Sequence, residues 1–453
     1  MKLLKTYCVF FAIILGSFLR LSAQETEIKG ISKKTKPDYV KLFSVNQGQM
    51  EEIASVKPTA NGAFAFKFKP AYKGYYLVGF GTVNNGTQDK YKLYVKGNDQ
   101  INLELTDTSY ILKGKNNKEN LVLEQWYKTT YKLERKTIYF NRGSRSFKEF
   151  FPMLEEAVAK SKPFGAAVKT GNSDFDQLMR QTTDYDLGYY TLTLLLYPSA
   201  SKPDESDYSP YIKNFNADHF LQNEVLLRFP YGINMLNNLV AFKNKGLGYD
   251  FDKNLMSIPN DQLKGDYALM YAALARSYNK YSQIVDDYGK YFTREDQKMR
   301  AAAIEAKNSV YKTGAKAFGF TYPDVNDKMV SLSDFKGKLV LVDVWATWCG
   351  PCVKEIPSLK KLEEEFHGKD VAFLSVSVDD QKDKEKWKKY VADAQLGGVQ
   401  IHSGPGAEIS RDYKINGIPR FMLFDKNGNI IDVDSARPSD PKLKAVLNEW
   451  LSK

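Results

Sequence analysis

Two cysteines separated by two residues, Cys349-Gly350-Pro351-Cys352, are the side chains of this 453-residue chain whose type and spacing most directly imply chemistry. Such a pair can exchange disulfides: one sulfur attacks, and the other, one helical turn away, resolves the mixed disulfide. Where a strand gives way to a helix, the first sulfur meets the unpaired N–H groups and positive dipole end of the first turn, which stabilise a thiolate. Cys349 is therefore expected to attack, because the helix start exposes the first sulfur and shelters the second. Pro351 is tolerated at that start. As a structural staple the pair would close so short a loop that it would restrain the unfolded chain little. Zinc would need two further ligands, yet no second cysteine pair exists and His219, His367 and His402 lie far apart.

The amino terminus bears on where this chemistry would run. Lys2 and Lys5, an apolar run over residues 7–19, and Leu21-Ser22-Ala23 predict a cleaved secretory signal over residues 1–23. The run is short for a spanning helix, which needs about 20 residues. Gln24 stands where a lipoprotein signal would require Cys. Cys8 would leave with the signal, so Cys349 and Cys352 would remain in the periplasm or cell envelope, where disulfides persist. With 43% hydrophobic and 26% charged residues, neither wholesale disorder nor a multi-span membrane protein fits. Removing Lys2, Lys5 and Arg20 leaves 62 Lys and Arg against 54 Asp and Glu. This modest excess is scattered, so no nucleic-acid partner is expected.

Three regions must position the pair. Residues 24–114 read as short strands of a small antiparallel β-sandwich: Asn61-Gly62 opens the alternating run Ala63 to Phe68, and a turn at Gly97-Asn98-Asp99 separates Tyr91–Val95 from Ile101–Leu105. Residues 115–318 show helical spacing. Leu123, Trp126, Tyr127 and Tyr131 share one face, and Tyr267, Met270, Tyr271, Leu274, Tyr278 and Tyr281 form a second core stripe. Residues 319–453 alternate strand and helix. Apolar runs over 338–344 and 371–378 flank a helix over 351–366, then a helix over 382–394, strands around Phe421–Phe424 and Ile430–Val433, and a closing amphipathic helix.

Residues 319–453 resemble the thioredoxin superfamily, and within it the exported TlpA/ResA-type thiol-disulfide oxidoreductases. The resemblance rests on Trp345-Ala346-Thr347 before Trp348-Cys349-Gly350-Pro351-Cys352, on the lead-in 331–338, on Pro357 within the helix, and on Gly417-Ile418-Pro419. It implies a C-terminal α/β thioredoxin fold in which Pro419 is the cis-proline beside the redox pair. Substrate polypeptide would dock there as an added strand, against Trp348, Gly350, Pro351, Ile418 and Pro419. Arg420 stands where the family often has Thr, which bears on substrate preference. Asp343 matches a buried acid that exchanges a proton with the second cysteine; the plainer reading is a strand-end residue capped by backbone. Glu355 matches an active-site glutamate of the ResA-like branch, or is a solvated helix residue. The preceding sandwich and all-α helical region resemble accessory parts of exported Bacteroidetes-type proteins and imply no activity.

The expected protein is thus a periplasmic reductase of protein disulfides, re-reduced by a membrane thiol donor and possibly serving cytochrome c maturation, with no metal and no cofactor beyond the Cys349–Cys352 disulfide. Two alternatives stand beside this reading. A thiol peroxidase would need Pro at 342 and Thr at 346, where Val342 and Ala346 stand. An envelope protein binding a peptide or glycan, with a passenger thioredoxin domain, would leave both cysteines inert to reductant.

Overall fold

The computed structural model describes residues 25–453 apart from 36–37, 140–145, 198–201 and 247–249. The expected signal segment and Cys8 lie outside the described residues. The chain divides into two compact units, one ending at Pro259 and the other Asn260–Lys453.

In the first unit two four-stranded sheets enclose a core that includes Ile28, Leu42, Val78, Leu93 and Leu103. The pairing departs from a purely antiparallel sandwich in one place. Thr26–Ser32 inserts between Ala63–Phe68 and Gln100–Leu105, and pairs in parallel with the latter. The turn at Gly97-Asn98-Asp99 does not close a hairpin either. It carries the chain from Lys90–Val95 in one sheet to Gln100–Leu105 in the other. Asn98 takes a positive φ of 58°, and the Asp99 carboxylate accepts the N–H groups of Lys96 and Gly97. The helix Lys118–Thr137 turns its expected stripe inward, with Leu123 and Trp126 buried and Tyr127 packed on the sandwich core.

The helical region expected over 115–318 is shared between the units, because the helices from Asn260 onward cluster with the C-terminal sheet. The second tyrosine stripe is also interrupted. It runs over two helices, Asp261–Leu274 and Tyr278–Tyr288, and Leu274 at the break is 70% exposed rather than core. Asp266, wholly buried, accepts hydrogen bonds from Arg294, Gln297 and Arg300, tying the first of these helices to Glu295–Asn308. Tyr311 enters the core of the C-terminal sheet, and its hydroxyl donates to the carbonyl of Asp412.

That sheet has five strands in the order Val399–His402, Val371–Ser377, Leu339–Trp345, Arg420–Phe424, Ile430–Asp432. The first three run parallel and the last two antiparallel. No sequence pattern marks Val399–His402, because its four residues follow Gly397-Gly398 and are too few to show a period. Leu339–Trp345 is buried at every position. Val340, Val342 and Val344 face one core, while Leu339 and Leu341 face another with Leu359 and Leu362 of the helix Gly350–Glu365 and Leu443 and Leu447 of the helix Pro441–Leu451. No helix among the described residues is long and apolar enough to cross a membrane.

The unit division yields a prediction. A chain shortened to begin at Asn260 should be more stable than one beginning at Gly319, by about 2 kcal/mol or more, because the shorter chain loses buried Tyr311 and the partners that residues 260–318 give the sheet. Urea midpoints compare the two; equal midpoints would show that residues 260–318 do not stabilise the sheet.

Candidate active site

The site forms where the strand Leu339–Trp345 hands over to the helix Gly350–Glu365. Cys349 is the N-cap of that helix: its sulfur accepts the N–H of Cys352 at 3.2 Å. Gly350 and Pro351 are the first two helical residues, so the missing N–H of Pro351 falls where no intrahelical partner exists. Cys349 and Cys352 are joined as a disulfide, with Cα atoms 5.3 Å apart. Exposure does not distinguish them as expected, since Cys349 and Cys352 are 5% and 4% exposed. Their positions do: Cys349 alone holds the cap, facing the unpaired N–H groups of the first turn.

Around the disulfide lie Trp345, Ala346, Trp387 and Val391, with Ile418 against the same cluster. The Ile418–Pro419 peptide is cis. Trp348 is 66% exposed, leaving an apolar surface beside the sulfurs. The loop before Cys349 is held by Asp379, which accepts from the N–H and hydroxyl of Thr347 and from the hydroxyl of Ser377.

Asp343 occupies the helix-covered face. Alternation along the strand puts it between Leu341, which packs with Leu359, and Trp345, which packs with the cysteines. The buried face of the helix carries Cys352, Glu355, Leu359 and Leu362 above it. The Asp343 carboxyl makes no hydrogen bond among the described residues, so no backbone group caps it. Burial, followed by the nearby charges of Glu355 and Glu363, pushes it up to about 8. Glu355 is buried, not solvated; its carboxylate accepts the N–H and hydroxyl of Ser439, each at 3.0 Å, and lies 3.8 Å from Arg437. The arrangement can therefore hold a proton next to a disulfide inside an apolar setting. Among the described residues, no group of three or more His, Cys, Asp and Glu side chains could hold a metal ion.

Residues 312–447 match the Redoxin family. Thiol-disulfide oxidoreductase ResA of Bacillus subtilis (strain 168) is 37% identical over 151 residues, covering 32% of this chain and 80% of that protein. ResA of Bacillus cereus (strain ATCC 10987 / NRS 248) is 30% identical over 148 residues, covering 33% of this chain and 82% of the relative. The chain belongs to the family of ResA-type thiol-disulfide oxidoreductases. The crystal structure of the thioredoxin domain of a Bacteroides vulgatus thiol-disulfide oxidoreductase aligns at 31% identity with a TM-score of 0.28, covering 31% of this chain and 98% of that one.

Three features of this ResA-type unit were missed in the sequence. Glu363, two helical turns beyond Glu355, is held above the usual carboxylate range by burial. It fits because Gly397 lacks a side chain: a Cβ there would come within 2.2 Å of Glu363 Oε2. Asp379 reaches Thr347 across 32 positions of sequence, so no local pattern could signal it. Arg420 turns out to be 2% exposed, with Nη1 donating to the carbonyls of Val433 at 3.1 Å and Arg276 at 3.4 Å.

The raised Asp343 carboxyl makes stability depend on pH. The folded form holds its proton up to about pH 8 whereas the unfolded chain releases it near the ordinary aspartate value of 3.8. Its contribution to stability is therefore fully present below the unfolded value and is lost as pH rises through the folded one. Asp343→Asn removes that loss. The variant should gain stability relative to wild type, on the order of a few kcal/mol, between about pH 4 and pH 8. Denaturant midpoints across that range measure it, and a constant difference would mean that Asp343 ionises freely in the folded state.

Proposed function

We propose that this protein is a periplasmic reductase of protein disulfides. The observation that carries the reading is the set of buried carboxyls, Asp343, Glu355 and Glu363, under the helix that begins at the cysteine pair. A buried setting lined by carboxyls disfavours a thiolate, through desolvation and through any charge those carboxyls carry, and a less stable thiolate makes the dithiol the better electron donor. Gly350-Pro351 is also the dipeptide of thioredoxin, whose pair is poised near about −270 mV.

The Cys349 thiolate attacks one sulfur of the substrate disulfide; that S–S bond breaks and a Cys349–substrate disulfide forms. Asp343, once it has released to solvent the proton it holds up to about pH 8, takes the proton of Cys352, which then attacks the Cys349 sulfur. The protein disulfide closes, and the second substrate sulfur leaves and is protonated. Two electrons pass to the substrate, and a membrane thiol donor returns them. The cis-Pro419 loop with Ile418, Trp348, Gly350 and Pro351 takes the substrate as an added strand. The signal segment 1–23 sends the chain to the envelope, the sandwich 24–114 and helices 115–318 are accessory to the redox unit 319–453, and cytochrome c maturation is one use of the reducing power.

In the full chain, Cys352→Ser should accumulate mixed disulfides with envelope proteins while Cys349→Ser accumulates few; equal trapping would reverse or abolish the assignment. Equilibration with a glutathione or dithiothreitol buffer, read by tryptophan fluorescence, should give a potential below about −180 mV, the poise of disulfide isomerase. A higher value would make the protein an oxidase or isomerase.

A further inference from the structure

The break between the helices Asp261–Leu274 and Tyr278–Tyr288 brings Arg276 to the redox face. Arg276 precedes the thioredoxin-like segment in sequence, yet its Nη2 lies 4.0 Å from where a Gly417 Cβ would stand. Gly417 precedes Ile418, which packs in the same cluster as Cys349 and Cys352. The guanidinium is exposed and makes no ion pair or hydrogen bond among the described residues.

Its backbone is fixed from both sides. The Arg276 carbonyl accepts from buried Arg420, the residue after Pro419, and the Ser277 hydroxyl caps the following helix by accepting the N–H of Lys280. The local charge count leaves Arg276 in surplus. Asp434 is shared by Lys280 and Arg420, and the Asp432 carboxylate accepts the N–H of Asp434. Three cations therefore face two carboxylates, and Arg276 and Arg420 repel one another. A carboxylate arriving from outside would relieve that repulsion, and the planar fork of a guanidinium suits it.

We propose that Arg276 is a specificity-determining residue of the redox site: it selects polypeptide substrates that carry an acidic side chain next to the disulfide docked at Gly417-Ile418-Pro419. The proposal rests on the thiol-disulfide exchange reading and adds a substrate class to it.

Two synthetic peptides test it, each with one intramolecular disulfide, one bearing Glu and the other Gln beside a cysteine. Second-order rate constants are measured with the full-length protein by stopped-flow tryptophan fluorescence, in both directions: reduced protein with peptide disulfide, and oxidised protein with peptide dithiol. Wild type should favour the Glu peptide, and Arg276→Ala should lower the Glu-to-Gln ratio about threefold to fivefold, the scale of one exposed charge pair. Arg276→Glu should invert the preference, Arg276→Lys should restore part of it, and salt near about 1 M should erase it. Because each ratio is taken within one variant, a general loss of folded protein cancels. An unchanged ratio in Arg276→Ala and Arg276→Glu, with exchange intact, overturns the assignment and leaves the exchange reading standing. Absence of exchange in both directions overturns the exchange reading, and the Arg276 assignment falls with it.

Discussion

A sulfur at a helix N-cap is the constraint on which the C-terminal unit depends. Cys349 must stop the strand geometry and start the helix while its own side chain accepts the Cys352 N–H. A cap is usually an oxygen of Ser, Thr, Asp or Asn; sulfur is a weaker acceptor until it becomes a thiolate, at which point the same unpaired N–H groups stabilise it more strongly. Everything adjacent serves to hold that junction. Leu339–Trp345 is buried along its whole length between two neighbouring strands, so it cannot slip in register without turning valines and leucines to the wrong cores. Thr347 is held by Asp379, and the Cys349 N–H donates to the Ala346 carbonyl at 3.1 Å.

The same junction tolerates a costly feature beneath it. An unpartnered buried carboxyl costs free energy that a hydrophobic residue at position 343 would not. Asp343 meets that cost by remaining protonated over the range in which a surface aspartate is ionised. Glu355 is treated differently though it lies on the adjoining face, because Ser439 supplies two hydrogen bonds to it. Two carboxyls under one helix thus differ in their partners, one with a buried oxygen left unpaired and one hydrogen-bonded by Ser439.

Arg420 joins the redox site to the helices before it. A fully buried guanidinium needs acceptors, and it finds them in the Val433 and Arg276 carbonyls and in Asp434. Removing its partners would leave a desolvated charge, so the segment holding Arg276 is energetically part of the thioredoxin-like unit although it lies more than a hundred positions upstream. The second unit accordingly includes the helices from Asn260 onward, where helical periodicity alone gives no sign of a boundary.

Local pattern was enough for much of this protein. The spacing of Cys349 and Cys352, the wholly apolar strands, Pro351 at a helix start and the Gly417-Ile418-Pro419 run are all contained within a few consecutive residues, and short-range sterics and periodicity act on that scale. The fold class and the sulfur chemistry follow from them. Tertiary structure decided what depends on partners distant in sequence. The parallel insertion of Thr26–Ser32, the exposure of Leu274, the burial of Glu355 by Ser439, the space Gly397 leaves for Glu363 and the placing of Arg276 beside Gly417 all arise from contacts across tens or hundreds of positions. Periodicity reports which face of an element is apolar, not which other element will cover it; desolvation, hydrogen bonding and charge coupling are set by the covering element, and so appear only once the chain has folded.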